Sequence, residues 1–340
     1  MGSEMCIRDR PKIHAERILE LVKLYNSDQT SYYRSSEVEA VIHKALNYWF
    51  TAKPVCLNWW YNQIGIPKTL GTVFILFEKQ LTPVEKQNAI TVMENAKFGM
   101  TGQNKVWLAG NVMMRALLQN DYELVKMARD TIASEIVTGG AEGIKDDWCF
   151  HQHGAQQQFG NYGLSFVSGM SFFSGLFSGT SLAFDDKQLS ILSTLIDKGY
   201  RWVIWKGMMD VNALGRQLFH HAPVHKALSL AFAASELGGG ESDECVAVAT
   251  ALLRDNYPAP AVNVLTGHKH FWQSDYTIHR CPSWMASIKM ASDRIIGTEM
   301  MNGDNMKGYY MADGATYIYK DGKELSLIHI SEPTRPLYIS

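Results

Sequence analysis

The sequence has few cysteines, no long apolar run and almost no net charge, and each lack excludes a class. Five cysteines in 340 residues are too few and too scattered for a disulfide framework. No CxxC pair is present to signal a zinc knuckle or a redox motif. No stretch of about eighteen uncharged apolar residues occurs, so no transmembrane helix is expected. Lys+Arg number 32 against 34 Asp+Glu, a net charge of -2. A nucleic-acid binder that works by bulk charge would be basic, so that class is set aside. What the chain does have is apolar and aromatic stock. It is 46% hydrophobic, with 9 Trp, 15 Tyr and 14 Phe, enough for a large core and for ring faces that stack on sugars.

The two ends read differently from the rest. Residues 2–10 are GSEMCIRDR and residues 325–333 are LSLIHISEP. DNA strings encoding them can be reverse complements, and the string resembles a transposon-end sequencing adapter. Residues 1–10 and 325–340 are therefore expected to be translated adapter, and 11–324 to be a genuine stretch cut at both ends. Cys6 then falls away. Cys56, Cys149, Cys245 and Cys281 remain, read as buried thiols.

From residue 11 to about 255 the pattern is helix after helix. Ile18, Leu19, Leu21, Val22 and Tyr25 form one stripe; Val38, Val41, Ile42, Ala45, Leu46, Trp49 and Phe50 form the next. Thr82-Pro83-Val84-Glu85 is a capping box with proline at the first helical position. Further helices are expected near 67–80, 104–119, 121–137, 163–177, 186–205, 224–237 and 242–254. About ten helices joined by short loops point to an all-α toroid, an incomplete (α/α) barrel, or a solenoid, over a four-helix bundle. After about 260 the period changes. Ala286–Met290 and Thr316–Lys320 alternate as strands do. The expected division is a helical domain over 11–258 and the start of a β domain over 259–324.

Four clusters carry polar chemistry. In Asn58-Trp59-Trp60-Tyr61-Asn62, before Gly65-Ile66-Pro67, a loop is expected that offers rings to a sugar and amides to hydroxyls or carboxylates. Adjacent side chains diverge, so at least one tryptophan should point to the core. Asn104, in Thr101-Gly102-Gln103-Asn104, is either a helix cap or a ligand-facing amide. The stretch Phe150 to Gly163 holds His151, His153, four glutamines, Asn161 and Tyr162 between glycines. His153 and Tyr162 would lie on opposite faces of one helix, and only a loop could join them. A lone His is more often structural, and no third ligand supports a metal. Arg216, following Gly215, suits an anion or a surface ion pair.

Taken in order, NWWYNQIGIPKTLG, TGQNKVW, QHGAQQQFGNYG, NALGR and EMMNGDNMKGYYMADGATYIY resemble the polysaccharide lyases of family 8. That family includes chondroitin AC, hyaluronate and xanthan lyases. The resemblance covers nearly all of 11–324, and the loop with His153 and Tyr162 looks closest to the chondroitin AC branch. It implies a toroid followed by an antiparallel β-sandwich domain, here truncated. It also implies β-elimination on a uronic-acid polysaccharide, with no metal or organic cofactor. The expected partner is an acidic polysaccharide rather than nucleic acid or membrane. The protein is expected to be a monomer and to be secreted or periplasmic.

By the same resemblance Asn104 hydrogen-bonds the uronate carboxylate, Arg216 stabilises charge, and Tyr162 is the catalytic tyrosine, with His153 the alternative base. A phenol ordinarily titrates near about 10, so a base role asks for a lower value, which Arg216 and a protonated His153 would supply. Glu299 and Asn302 are expected to orient His153 and Arg216. Asn58, Trp59 and Trp60 form the substrate-positioning patch. His220 stands where chondroitin AC lyases usually carry a second arginine, a departure that bears on substrate preference. Two rivals remain: an α/α-toroid glycoside hydrolase, which would need two carboxylates flanking the bond, and a carbohydrate-binding protein without catalysis.

Overall fold

Thr82 caps its helix as its sequence requires: the hydroxyl accepts from the Glu85 backbone N–H, and Glu85 Oε2 accepts from the Thr82 backbone N–H at 2.9 Å. Helix Pro83–Met93 starts there. The computed structural model describes residues 10–219, 221–238, 265–301, 305–306 and 308–320. The expected helix at 242–254, the expected boundary at 258/259 and nearly all of both terminal stretches lie outside the described residues.

The chain forms two units, 1–135 and 136–340. The first is helical: Arg10–Asn26, Ser36–Ala52, Ile66–Leu76, Pro83–Met93, Gly102–Gln119 and Tyr122–Ala133. Its core takes Ile18, Val22, Ile42 and Leu46 from the expected stripes and adds residues of helix Ile66–Leu76, whereas Val41 of the second stripe is 50% exposed. Ile18, Val22, Ile42, Leu46, Leu70, Phe74 and Phe77 are all essentially inaccessible to solvent. Burying one such side chain stabilises by about 1.5–3 kcal/mol.

The second unit mixes helices with short strands. Helices Leu164–Phe177, Asp186–Thr194 and Ala222–Gly238 bring the total to nine among the described residues. Two-residue strands β1 (Gly143–Ile144) and β2 (Phe150–His151) pair antiparallel, as do β3 (Ile204–Trp205) and β4 (Met208–Met209). A four-stranded antiparallel sheet follows, β5 (Gly267–Phe271), β6 (Tyr276–Cys281), β7 (Trp284–Lys289) and β8 (Ala315–Tyr319), in sequence order. Alternation sets its faces: Phe271, Tyr276, Ile278, Met285 and Tyr319 are buried, while Ile288 and Ile318 are exposed. Helices first and an antiparallel sheet after is the fold class expected from the sequence.

The buried face is tied down by Asp210, which accepts from the hydroxyls of Tyr276 and Tyr319, the latter at 2.6 Å. The 3-10 turn Val211–Ala213 thereby sits against the sheet: Asn212 Nδ2 donates to Ser287 Oγ at 3.0 Å. Arg216 lies three residues beyond that turn.

Three local expectations fail, all for one reason. The expected loops at 61–65 and 159–163 are π-helical turns, Tyr61–Gly65 and Phe159–Gly163, each running directly into an α-helix. The helix expected over 186–205 widens to a π turn at Leu195–Gly199, tightens to a 3-10 turn at Tyr200–Val203, and ends in β3. A π turn adds a residue to the helical repeat, so the 3.6-residue period that marks a helix is lost.

Candidate active site

His153 and Tyr162 meet. Their ring centroids are 4.7 Å apart at an interplanar angle of 64°. Antiparallel pairing of β1 and β2 sets His151 opposite Gly143, and the chain then turns through left-handed backbone at His153 (φ 61°) and Gly154 (φ 85°). The turn brings the strand end back toward the π turn that carries Tyr162. The nine-residue separation that excludes a shared helix face is thus bridged by a bend and a π turn together.

Glu299 organises the cluster. His153 Nδ1 donates to Glu299 Oε2 at 2.7 Å, and Arg216 ion-pairs with Glu299 Oε1. A carboxylate accepts and does not donate, so the Nδ1 proton is fixed and Nε2 carries the lone pair. Glu299 is held in turn: its backbone N–H donates to Gln156 Oε1 at 2.7 Å, and Ile296 N–H donates to Ala155 O at 2.9 Å. The Arg216 guanidinium carbon stands 5.9 Å from the Tyr162 ring centroid. The Arg216 and Glu299 side chains are only 11% and 9% exposed, which strengthens their interaction relative to a surface pair.

Burial pushes the His153 imidazole below its ordinary value, and Arg216 adds to the fall while Glu142 opposes it. The imidazole is therefore neutral near pH 7. That direction disfavours a protonated His153 beside Tyr162, whereas Arg216 brings a positive charge to the Tyr162 ring. His151, two residues away, has a different part. It is buried, its Nε2 meets Ser274 Oγ at 2.8 Å, and burial drives it down to about 4. Among the described residues no group of three or more His, Cys, Asp or Glu side chains is placed to hold a metal.

The π turn fits closely against the Arg216 loop. A Cβ on Gly160 would lie 2.7 Å from Leu214 Cα and 2.8 Å from Ala213 O, so only glycine fits. Lys226, from helix Ala222–Gly238 and itself 6% exposed, joins the two segments. Its Nζ donates to Gly160 O, to Asn161 Oδ1 at 3.2 Å and to Gln217 Oε1 at 2.9 Å. Sequence reasoning missed Lys226 and Glu142; a lysine in an apolar helix and a glutamate in a Gly-rich turn were the available signals.

Of the expected site residues, His153, Tyr162, Arg216 and Glu299 come together in the second unit. His220 and Asn302 lie outside the described residues. Asn58, Trp59, Trp60 and Asn104 belong to the first unit. There Asn58 Oδ1 accepts from the Trp60 backbone N–H at 2.9 Å. Trp59 is 48% exposed, whereas Trp60 packs with Trp107 beside Ile64 and Leu108. One ring faces solvent and the other the core. Asn104 is not the helix cap, since Thr101 holds that position; it is 6% exposed, and its Oδ1 has no hydrogen-bond partner. Such a buried amide oxygen asks for a donor.

Residues 8–235 match the model of the polysaccharide lyase family 8 N-terminal alpha-helical domain, and residues 266–329 that of the family 8 super-sandwich domain. Chondroitinase-AC of Pedobacter heparinus is 29% identical over 322 residues, which is 92% of this chain and 46% of that protein. A hyaluronate lyase of Thermasporomyces composti is 27% identical over 299 residues, 76% of this chain and 38% of that protein. A chondroitinase AC lyase solved in oligosaccharide complexes superposes with a TM-score of 0.83 at 27% identity, covering 94% of this chain and 48% of the other. The chain thus spans half or less of the length of these relatives.

Proposed function

Because the chain belongs to polysaccharide lyase family 8, we propose that it cleaves a uronic-acid glycosaminoglycan of the chondroitin or hyaluronan type by β-elimination. Tyr162, set against His153 and beneath Arg216, is the observation that carries this reading. Tyr162, acting as its phenolate, takes the C5 proton of the uronate, the C5 electron pair forms the C4–C5 double bond, and the C4–O bond breaks. The same hydroxyl then returns the proton to the departing oxygen. The products are a 4,5-unsaturated uronate and a new hydroxyl end.

Removing the C5 proton places charge beside a carboxylate that is already negative. Donors that strengthen as that charge develops lower the barrier more than donors that bind the ground state equally well. Asn104 is proposed to donate to the uronate carboxylate, and Arg216 to stabilise the developing charge. The His153 Nε2 lone pair, free because Glu299 fixes the other nitrogen, makes His153 the second candidate for the base. Asn58, Trp59, His220 and Asn302 are proposed substrate contacts, while Trp60, packed on Trp107, is proposed to support Asn58 and Trp59.

A hydrolase needs an acid and a base or nucleophile, both carboxyl groups, at the scissile bond. Here Glu299 is committed to Arg216 and His153, which favours elimination. An extracellular polymer as substrate places the enzyme outside the cytoplasm, secreted or periplasmic, and one chain supplies all the proposed residues, in keeping with a monomer. The helical domain is proposed to end near 258.

The test is incubation with hyaluronan and chondroitin sulfates, following ultraviolet absorbance of the new double bond. Tyr162→Phe should lower turnover by at least about a hundredfold while leaving polysaccharide binding within a few-fold. New reducing ends without absorbance would mean hydrolysis, and binding without either product would mean a non-catalytic protein. Full activity of Tyr162→Phe would overturn the proposed roles.

A further inference from the structure

The His153 turn needs support that Glu299 alone does not supply. Two consecutive residues, His153 and Gly154, occupy left-handed backbone. For a residue with a side chain such a conformation is strained and persists only where the surroundings over-determine it. The surroundings are a carboxylate. Gly143 pairs with His151, and its neighbour Glu142 reaches Gln152 and Gly154 through its side chain. Glu142 Oε1 accepts from the Gly154 backbone N–H at 2.9 Å, and its Oε2 accepts from the Gln152 side-chain amide. Glu142 therefore grips the chain on both sides of His153.

The same carboxylate acts through its charge. The charged and titratable groups around the imidazole are Glu299 on Nδ1, Arg216, Tyr162 and Glu142. The Glu299 carboxylate is shared with Arg216. Glu142 is then the acid left to offset Arg216 and burial at His153, which is the sense of its effect.

We propose that Glu142 is a positioning residue for His153, clamping the left-handed turn and supplying the second negative charge that the imidazole feels. The idea rests on the proposed elimination only for its kinetic consequence. Glu142→Gln keeps the size of the side chain and removes the charge. In the 340-residue protein labelled with nitrogen-15 at histidine, NMR titration should show His153 ionising about half a pH unit lower in Glu142→Gln. The acid limb of kcat/KM should move down by the same amount. Glu142→Asp keeps the charge but shortens the reach; it should hold the titration near that of the parent and lower kcat several-fold.

An unshifted His153 titration in Glu142→Gln, or a parental kcat in Glu142→Asp, overturns the proposal. Where Glu142→Gln does not fold, Glu142→Asp carries the test by the same two readings. The titration needs no substrate. A parent protein that makes no unsaturated product, with the titration still shifted in Glu142→Gln, would sink the elimination reading and leave Glu142 in its place.

Discussion

At the scale of single residues, Glu299 carries the largest electrostatic burden in the cluster. One oxygen meets Arg216 and the other meets His153, 146 residues earlier in the chain. Its side chain is 9% exposed, so deleting it strands a guanidinium that water reaches poorly. Breaking a buried pair from one side costs about 3–5 kcal/mol. Glu299→Ala should sit at the low end, about 3 kcal/mol by urea unfolding, because Arg216 keeps the Tyr162 face. Adding Arg216→Ala should recover part of that loss, giving a double mutant less destabilised than the sum of the two singles. Strict additivity would mean that the ion pair is not formed in solution. Nothing in the local spacing of the sequence announces this role; the run Glu299-Met300-Met301-Asn302 became meaningful only through its resemblance to a family. Long-range pairings of this kind leave no period to read.

At the scale of elements, the informative feature is the π turn. Tyr61–Gly65, Phe159–Gly163 and Leu195–Gly199 all end in glycine. At all three ends a Cβ would clash: 2.8 Å from the Trp60 ring for Gly65, 2.6 Å from the Tyr200 hydroxyl for Gly163, and closest of all on the Trp148 backbone oxygen for Gly199. Glycine punctuation without a 3.6 period looks like a loop from sequence, and that is how the first two stretches read. The long regular helices were legible because their buried stripes repeat: Ile18 and Val22, Ile42 and Leu46. The sheet was legible from alternation. The catalytic geometry was not, because it depends on a widened turn and a left-handed bend, both of which break the repeat. Gly160 tests this view. Gly160→Ala forces the π turn off Ala213 and Leu214, at a cost of about 1–3 kcal/mol for overpacking. Since Arg216 follows that contact by two residues, kcat should fall while KM changes little. A variant with parental kcat and reduced melting temperature would show that the contact matters for folding only.

At the scale of the whole molecule, buried ionisable groups set how stability follows pH. Lys226 and Lys289 are 6% and 1% exposed, and burial lowers both from 10.5 to about 8. Between those values the unfolded chain binds more protons than the folded one, so stability rises with pH across that window. Each lysine contributes a slope of at most about 1.4 kcal/mol per pH unit. Burial lowers Lys68 and Lys269 as well, which acts in the same sense. His151, driven from 6.5 to about 4, works likewise on the acid side: its contribution is complete above 6.5 and is lost as pH falls toward 4. Tyr276 and Tyr319 are raised by burial and by Asp210, so they oppose the trend only above the ordinary phenol range, near about pH 10. The melting temperature should therefore climb from about pH 5 to about 6.5, level off, and climb again between about 8 and 10. Lys226→Met should flatten the upper climb. It should also lower stability near pH 7 by about 1–3 kcal/mol, since Gly160 O, Asn161 Oδ1 and Gln217 Oε1 lose a shared donor. A parent protein whose melting temperature falls steadily from about pH 8 to about 10 would mean that these ammonium groups reach water, and that the clamp joining the Tyr162 turn to the Arg216 loop is open in solution.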